Sequence, residues 1–403
     1  MSFRYASGIN KPGFNPLAAG VDQYKGIWSL SGQANAVAAN TWPVGSPQYL
    51  YGWGDNTNGQ LGLGNTTYYY SPKVVGATAT WSSIDNGKQF SLATKSDGTL
   101  WAWGQNNVGQ LGLGNTTYYS SPKQIGALTS WLTITASYSS SFAIKTDGTI
   151  WSWGSNSIGQ LGLGNITSYS SPKQIGALTN WLKTATGIGG SSNGITLAIK
   201  TDGTMWSWGG NAQGQLGLED TTSRSSPVQI GALTTWSNVE VGYANFTLAT
   251  KTDGTLWSWG NNSAGKLGLG NTTNYSSPKQ VGALTGWLTV AAGFYSSLAI
   301  KSNGTLWTWG TGATGQLGLG NITNYSSPMQ VGALTNWLKA SSGKVFTTAI
   351  KTDGTLWAWG DGVYGNLGLG NTTNYSSPMQ VGAATNWVSS SASFRFSMGI
   401  KGS

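Results

Sequence analysis

The sequence predicts an all-β chain closed into a seven-bladed β-propeller, and three observations carry that prediction. A Trp-Gly step recurs at Trp53, Trp103, Trp153, Trp208, Trp259, Trp309 and Trp359, about every 50 residues with one stretched interval. Self-similarity of this length marks a propeller or a solenoid. Each unit alternates apolar and polar residues, in most units around a repeated Asp-Gly, the signal of a β-hairpin. The chain ends are complementary: Phe396-Ser-Met-Gly-Ile-Lys401 repeats the second strand of a unit and then stops, while Ser46-Pro-Gln-Tyr-Leu-Tyr-Gly-Trp53 supplies a third strand without its predecessor.

The unit between Trp131 and Trp181 shows the elements in order. Leu132–Ala136 reads as a strand, Ser137–Ser140 as a loop, Ser141–Lys145 as a second strand and Thr146-Asp147-Gly148 as a turn. In the third strand, Thr149–Gly154, two-residue alternation places Trp151 and Trp153 on one face and Ile150 and Ser152 on the other. A Gly-rich excursion over Ser155–Ser171 then leads through Pro172 to a short edge strand at Lys173–Gly176, a position that tolerates proline. Four antiparallel strands make a blade. Joining the two half-blades at the chain ends completes the seventh and hides the edges an open array would expose. This divides the chain into an N-terminal segment, residues 1–43, and a propeller, residues 44–403.

Composition removes several chemistries. The 403 residues include 61 Gly and 22 Trp but no Cys and no His, and only 8% are charged. Thiol catalysis, Ser–His triads and the usual zinc ligand sets are therefore excluded. No cofactor and no metal site is indicated. Gly-Gln-Leu-Gly-Leu-Gly lacks the Lys-Ser/Thr of a phosphate loop and opens no helix, so its glycines read as positions of positive φ in tight turns. Of the twelve carboxylates, five are hairpin Asp residues; Asp85, Glu219, Asp220 and Glu240 are scattered, without the pair a glycosidase needs. No apolar run reaches the roughly 18 residues of a membrane span, and the opening residues lack the apolar core of an export signal.

Because strands alternate in direction, the loops after the first and third strands share one face of the disc and the Asp-Gly hairpins the other. The hairpin face is nearly constant: Asp97, Asp147, Asp202, Asp253 and Asp353, with Asn303 as the exchange. The opposite face varies. Its candidate binding residues are Lys88, Gln89, Tyr138, Ile188, Tyr243, Asn245, Phe294, Tyr295, Lys344, Phe394 and Arg395 after the first strand, with Asn107 and Tyr364 after the third. Such loops serve recognition on rigid scaffolds, although drift at exposed turns produces variation too.

Other repeated residues have two readings. Tyr69, Tyr119, Tyr169, Tyr275, Tyr325 and Tyr375, with Arg224 in the remaining unit, form either a platform for sugar rings or packing against the neighbouring blade. The Trp pairs read as burial between blades. Asn65-Thr66-Thr67 and its relatives match a glycosylation sequon but recur as turn-making residues. The net charge of +9 includes one Lys per blade beside each hairpin (Lys95, Lys145, Lys200, Lys251, Lys301, Lys351, Lys401), a distribution that argues against a nucleic-acid surface.

Trp153-Gly-Ser-Asn-Ser-Ile-Gly-Gln-Leu-Gly-Leu-Gly-Asn165, followed by Pro172, resembles the repeat of the regulator-of-chromosome-condensation family, as does Gly214-Gln-Leu-Gly-Leu-Glu-Asp220 with Pro227. The resemblance spans about residues 45–403 and implies a seven-bladed propeller. The family's founding member is a nucleotide-exchange factor for a small GTPase and binds nucleosomes. Exchange activity does not carry over: no long insertion is visible, and the family's His before the Ala-Leu strand is replaced, by Tyr295-Ser296-Ser297 and Phe346-Thr347-Thr348 among others.

The opening residues, Phe3-Arg4-Tyr5 to Leu17 and Gly26-Ile-Trp28 to Pro43, look like the openings of tailed-phage virion proteins, especially of marine phages. A short helix is expected at Leu30–Asn40. Phe3, Tyr5, Phe14, Trp28 and Trp42 are candidate anchors to a partner. The expectation is a non-enzymatic virion component attached to other virion proteins by this segment, its propeller facing a host glycan or protein. The alternative is a cytoplasmic interaction scaffold or exchange-factor relative.

Overall fold

The computed structural model describes residues 47–189 and 193–403, without the side chains of 188, 189 and 193. Seven four-stranded antiparallel sheets stand around a central channel. The inner strands are Trp81–Asn86, Trp131–Ala136, Trp181–Gly189, Trp236–Gly242, Trp287–Ala292, Trp337–Ser342 and Trp387–Ala392. We number the blades 1 to 7 in that order. Closure follows the complementary ends: in blade 7, Gln48–Gly54 pairs with Phe396–Gly402, so the C-terminal strands form its inner half and the N-terminal strands its outer half. The compact unit is residues 48–403. The expected helix at 30–40 and the anchors Phe3, Tyr5, Phe14, Trp28 and Trp42 lie outside the described residues.

The first three strands of the unit lie within one residue of expectation, and the fourth differs. The outer strand of blade 2 is Tyr169–Gln174, beginning before Pro172 rather than after it. Tyr169 pairs with Gly154 and Lys173 with Ser152, with an irregularity between them. Pro172 falls in that irregularity on an edge strand, where no partner requires its missing N–H.

The apolar core lies in the seams between blades. Phe90, Leu92 and Leu100 of blade 1 pack with Trp131, Ala143 and Trp153 of blade 2, and the other seams repeat this. The Gly-rich excursion of one blade crosses to the next: Gly114 N–H donates to the Ser170 carbonyl at 2.8 Å, and the Trp153 indole donates to the Gln110 carbonyl at 2.9 Å. Gly112 is required there. Its φ is +74°, and a Cβ would lie 2.7 Å from the Trp153 indole nitrogen. Trp53, Trp103, Trp153, Trp208, Trp259, Trp309 and Trp359 are fully buried. Trp259→Phe would remove one of two donors to the Gln215 carbonyl, the indole at 3.0 Å, and leave the Thr247 hydroxyl at 3.1 Å. We expect a loss of about 2–4 kcal/mol, from one lost buried hydrogen bond and a partial cavity, read as a lower urea midpoint at unchanged slope.

Candidate functional site

The loops after the inner strands are drawn into a collar around one mouth of the channel. Backbone hydrogen bonds tie neighbours together: Tyr243 N–H donates to the Gly293 carbonyl (3.1 Å), Phe294 N–H to Gly343 (3.3 Å) and Lys344 N–H to Ser393 (3.1 Å). The Ser393 hydroxyl donates to the Gly87 carbonyl and links blade 7 to blade 1. Lys88, Tyr138, Tyr243, Phe294, Lys344 and Phe394 stand at the equivalent position of six blades; the side chain of the seventh, Ile188, lies outside the described residues.

These side chains meet. The Tyr243 and Phe294 rings are parallel with centroids 6.4 Å apart, Phe294 lies 4.4 Å from Tyr295, and Phe294 meets Phe394 edge-on at 6.5 Å. Lys88 Nζ sits 4.0 Å from the Tyr138 ring centroid and donates to its hydroxyl; Lys344 Nζ sits 4.5 Å from the Phe394 ring. The Arg395 guanidinium lies 4.3 Å from the Tyr364 ring and 5.4 Å from that of Phe394. Cations held over aromatic faces are pre-positioned and only partly desolvated, the state of a recognition surface. Three candidates stand apart. Asn107 is exposed on the outer excursion, where its Oδ1 accepts from Gln110 at 3.1 Å, and Gln89 lends only its backbone carbonyl, to Gln105 N–H. Asn245 is buried at a φ of +60°, making a turn.

Tyr243 belongs to a variable loop, yet its position does something else. Its hydroxyl donates to the Asn86 carbonyl at 3.5 Å, although Asn86 belongs to blade 1 and Tyr243 to blade 4. Three blades is the greatest separation a seven-membered ring allows, so the side chain crosses the axis and narrows the collar-side mouth. Burial pushes its phenol well above the usual tyrosine range, helped by the charges of Asp85 and Glu240.

Those two acids correct the expectation that no carboxylates come together. Asp85 and Glu240 occupy equivalent positions on the inner strands of blades 1 and 4 and both line the channel. Asp85 accepts from Ala136 N–H at 2.8 Å and from the Ser391 hydroxyl at 3.1 Å. Its carboxyl lies on the channel wall, and burial pushes its pKa up to about 6 against those hydrogen bonds. Glu240 pairs with Lys183 at 3.3 Å. Asp220 is taken by Arg224 at 2.5 Å.

The repeated tyrosines are packing. Tyr69, Tyr119, Tyr169 and Tyr275 are half-buried against the seams, and an Asn four residues earlier donates to each hydroxyl, as Asn65 does to Tyr69 at 3.2 Å. Where Arg224 replaces Tyr, Asp220 replaces that Asn and an ion pair takes over. The same Asn makes a turn, Asn65 Oδ1 accepting from Thr67 N–H. On the hairpin face the Lys ring is stacked rather than paired with Asp: Lys95 Nζ lies 4.0 Å from the Trp101 ring and 5.0 Å from that of Trp81. Each hairpin Asp binds Thr two residues on, as Asp97 does Thr99, which holds its carboxyl below the usual range. Among the described residues there is no metal-binding cluster, and no helix is long and apolar enough to cross a membrane.

The chain matches the regulator of chromosome condensation (RCC1) repeat seven times, over residues 49–94, 97–144, 147–191, 202–249, 253–300, 303–350 and 353–400. Each match begins near the third strand of one blade and runs into the next, six of them ending in its second strand and the third, at residue 191, just before it, so every repeat straddles a seam. It is 40% identical over 101 residues to mouse protein RCC2, covering 25% of this chain and 19% of that protein. It is 41% identical over 88 residues to the dog X-linked retinitis pigmentosa GTPase regulator, covering 21% and 9%. The matched part is thus less than a fifth of each of these curated relatives. Saccharomyces cerevisiae Prp20p, whose structure was described with its binding to Gsp1p and histones, superposes with a TM-score of 0.78 at 20% identity, over 88% of this chain and 92% of that one. Human WBSCR16 gives 0.77 at 20% identity, over 88% and 99%. At such identities these structures speak for the fold.

Proposed function

Because the chain belongs to the regulator of chromosome condensation (RCC1) repeat family, we propose that it is a non-enzymatic interaction propeller that holds a protein partner against its aromatic and cationic collar. The collar carries this reading. It gathers Lys88, Lys344 and Arg395 onto the rings of Tyr138, Phe394 and Tyr364, around a mouth where aromatic area is already ordered and costs little entropy to bind with. An acidic loop flanked by apolar residues is the complementary surface. A basic partner such as a histone is disfavoured there. A cellular scaffold is the first reading, since the relatives by sequence and fold are cellular proteins. Display on a phage particle is the second, and the likeness of residues 3–17 and 26–43 to virion openings favours it.

The test is a panel of small GTPases, histones and virion proteins probed with the full chain. We expect an acidic partner whose affinity falls at least about tenfold in the charge-reversed variant Lys344→Glu/Arg395→Glu, and falls with salt. Unchanged binding by that variant would move the interface elsewhere. Co-purification with assembled particles, lost on removing residues 1–43, would select the phage reading.

A further inference from the structure

The channel itself is a second site, facing away from the collar. The inner strands enclose about 650 Å3, narrowed on the collar side where Tyr243 crosses the axis. At the other mouth stands the second residue of each inner strand: Leu132, Leu182, Leu288, Leu338 and Val388, all exposed, with Ser82 and Ser237 completing the ring. Exposed leucines around a cavity entrance leave apolar area for a partner to cover. Beyond them the wall is mostly Ser, Thr and Ala, and toward the collar end lie Asp85 and Glu240.

The charges inside are unbalanced. Glu240 is neutralised by Lys183, whereas Asp85 has no cationic partner among the described residues. Beside it Asn86, only 2% exposed, lines the same cavity, and its Oδ1 has no hydrogen-bond partner. Buried acceptors left open in this way are costly until a donor reaches them.

We propose that the channel binds a lysine side chain presented by an apolar peptide, which enters through the leucine ring and places its ammonium against Asp85. Asp85 Oδ1 already accepts two hydrogen bonds, from the Ser391 hydroxyl and Asn86 N–H, and Oδ2 accepts one, from Ala136 N–H, so the open lone pair is on Oδ2. The flat bidentate face that a guanidinium needs is therefore not on offer, and a compact ammonium with three rotatable donors suits a single open lone pair. The alkyl stem lies along the Ala and Thr wall, and flanking apolar residues cover the leucines.

The peptide Ac-Gly-Leu-Lys-Leu-Gly-NH2, titrated into the full chain and followed by NMR or calorimetry, tests this, with the norleucine peptide and pentane-1,5-diamine as comparisons. Binding of the lysine peptide should weaken at least about tenfold with norleucine in place of Lys and in the near-isosteric Asp85→Asn. Leu132→Ser/Leu288→Ser alters only exposed side chains and should weaken the peptide but not the diamine. No binding of the lysine peptide, equal binding of the norleucine peptide, unchanged binding by folded Asp85→Asn, or a diamine that binds as tightly as the peptide would each overturn the proposal.

Discussion

Removing residues 396–403 is expected to abolish cooperative folding of the whole ring. The strand Phe396–Gly402 lies between Trp387–Ala392 and Gln48–Gly54, and its backbone hydrogen bonds join the C-terminal half of blade 7 to the N-terminal half. Phe396, Met398 and Ile400 are fully buried. At roughly 2 kcal/mol for each buried side chain, their loss removes about 6 kcal/mol, before the two rows of backbone pairs are counted. The total stability of a domain is about 5–15 kcal/mol. The truncated chain would also expose two sheet edges, a template for aggregation. We expect the sharp thermal transition to disappear and oligomers to form on size exclusion. A circular permutant that joins Gly402 to Gln48 through a short Gly linker, opened between Gly76 and Ala77, should keep that transition. A truncated chain melting within a few degrees of the full one would refute the view that closure holds the ring together.

Lys266→Gln is expected to stabilise the protein by up to about 3 kcal/mol at neutral pH, an effect that fades in alkali. Five blades carry Gln at this position (Gln60, Gln110, Gln160, Gln215 and Gln316) and one carries Asn366. Lys266 is 1% exposed, its Nζ bonded to the Ser263 hydroxyl at 2.9 Å, with no carboxylate beside it among the described residues. Burial pulls its pKa down from 10.5 to about 8. Below pH 8 the folded chain carries the full cost of a buried ammonium, roughly 3 kcal/mol at 1.36 kcal/mol per unit. Between about pH 8 and 10.5 the folded state has released a proton that the unfolded state still holds, so stability rises with pH across that window. The advantage of Gln should shrink over the same window and vanish above it. The backbone supports the substitution. In blade 7 Gln60 Oε1 accepts from Asn58 N–H at 2.8 Å; Lys cannot accept, and here Ser263–Gly265 turns into a short 3-10 segment with Ala264 at a φ of +61°. Denaturant melts of both chains at pH 7 and pH 10 read the effect, and an equal stability difference at the two values would count against it.

The sequence held the architecture because a propeller is built from local information repeated. Asp-Gly hairpins, alternating Trp-x-Trp strands and Gly-rich turns each specify a blade within 50 or so residues, and the half-blades at the two ends announce closure. Strand alternation puts the loops after the inner strands on one face, where Lys88, Tyr138, Phe294, Lys344, Phe394 and Arg395 converge on one mouth. The Asn-to-Asp change at 220 that accompanies Tyr-to-Arg at 224 was a readable sign that the tyrosine ring is packing.

What the period cannot convey is who faces whom across the axis. Asp85 and Glu240 looked scattered in the sequence, and Tyr243 looked like one variable loop residue among several, because nothing local relates blade 1 to blade 4. Their meeting depends on the diameter of the closed ring and on a side chain long enough to span it, quantities that exist only once all seven seams have packed. The same holds for the leucines at the far mouth. Their alternation marks them as one face of a strand, but only closure turns that face toward an open channel instead of a buried seam. The repeat thus dictated strands, turns and blade count through short-range sterics and pairing, whereas the channel, its uncompensated acid and its crossing tyrosine were decided by long-range closure.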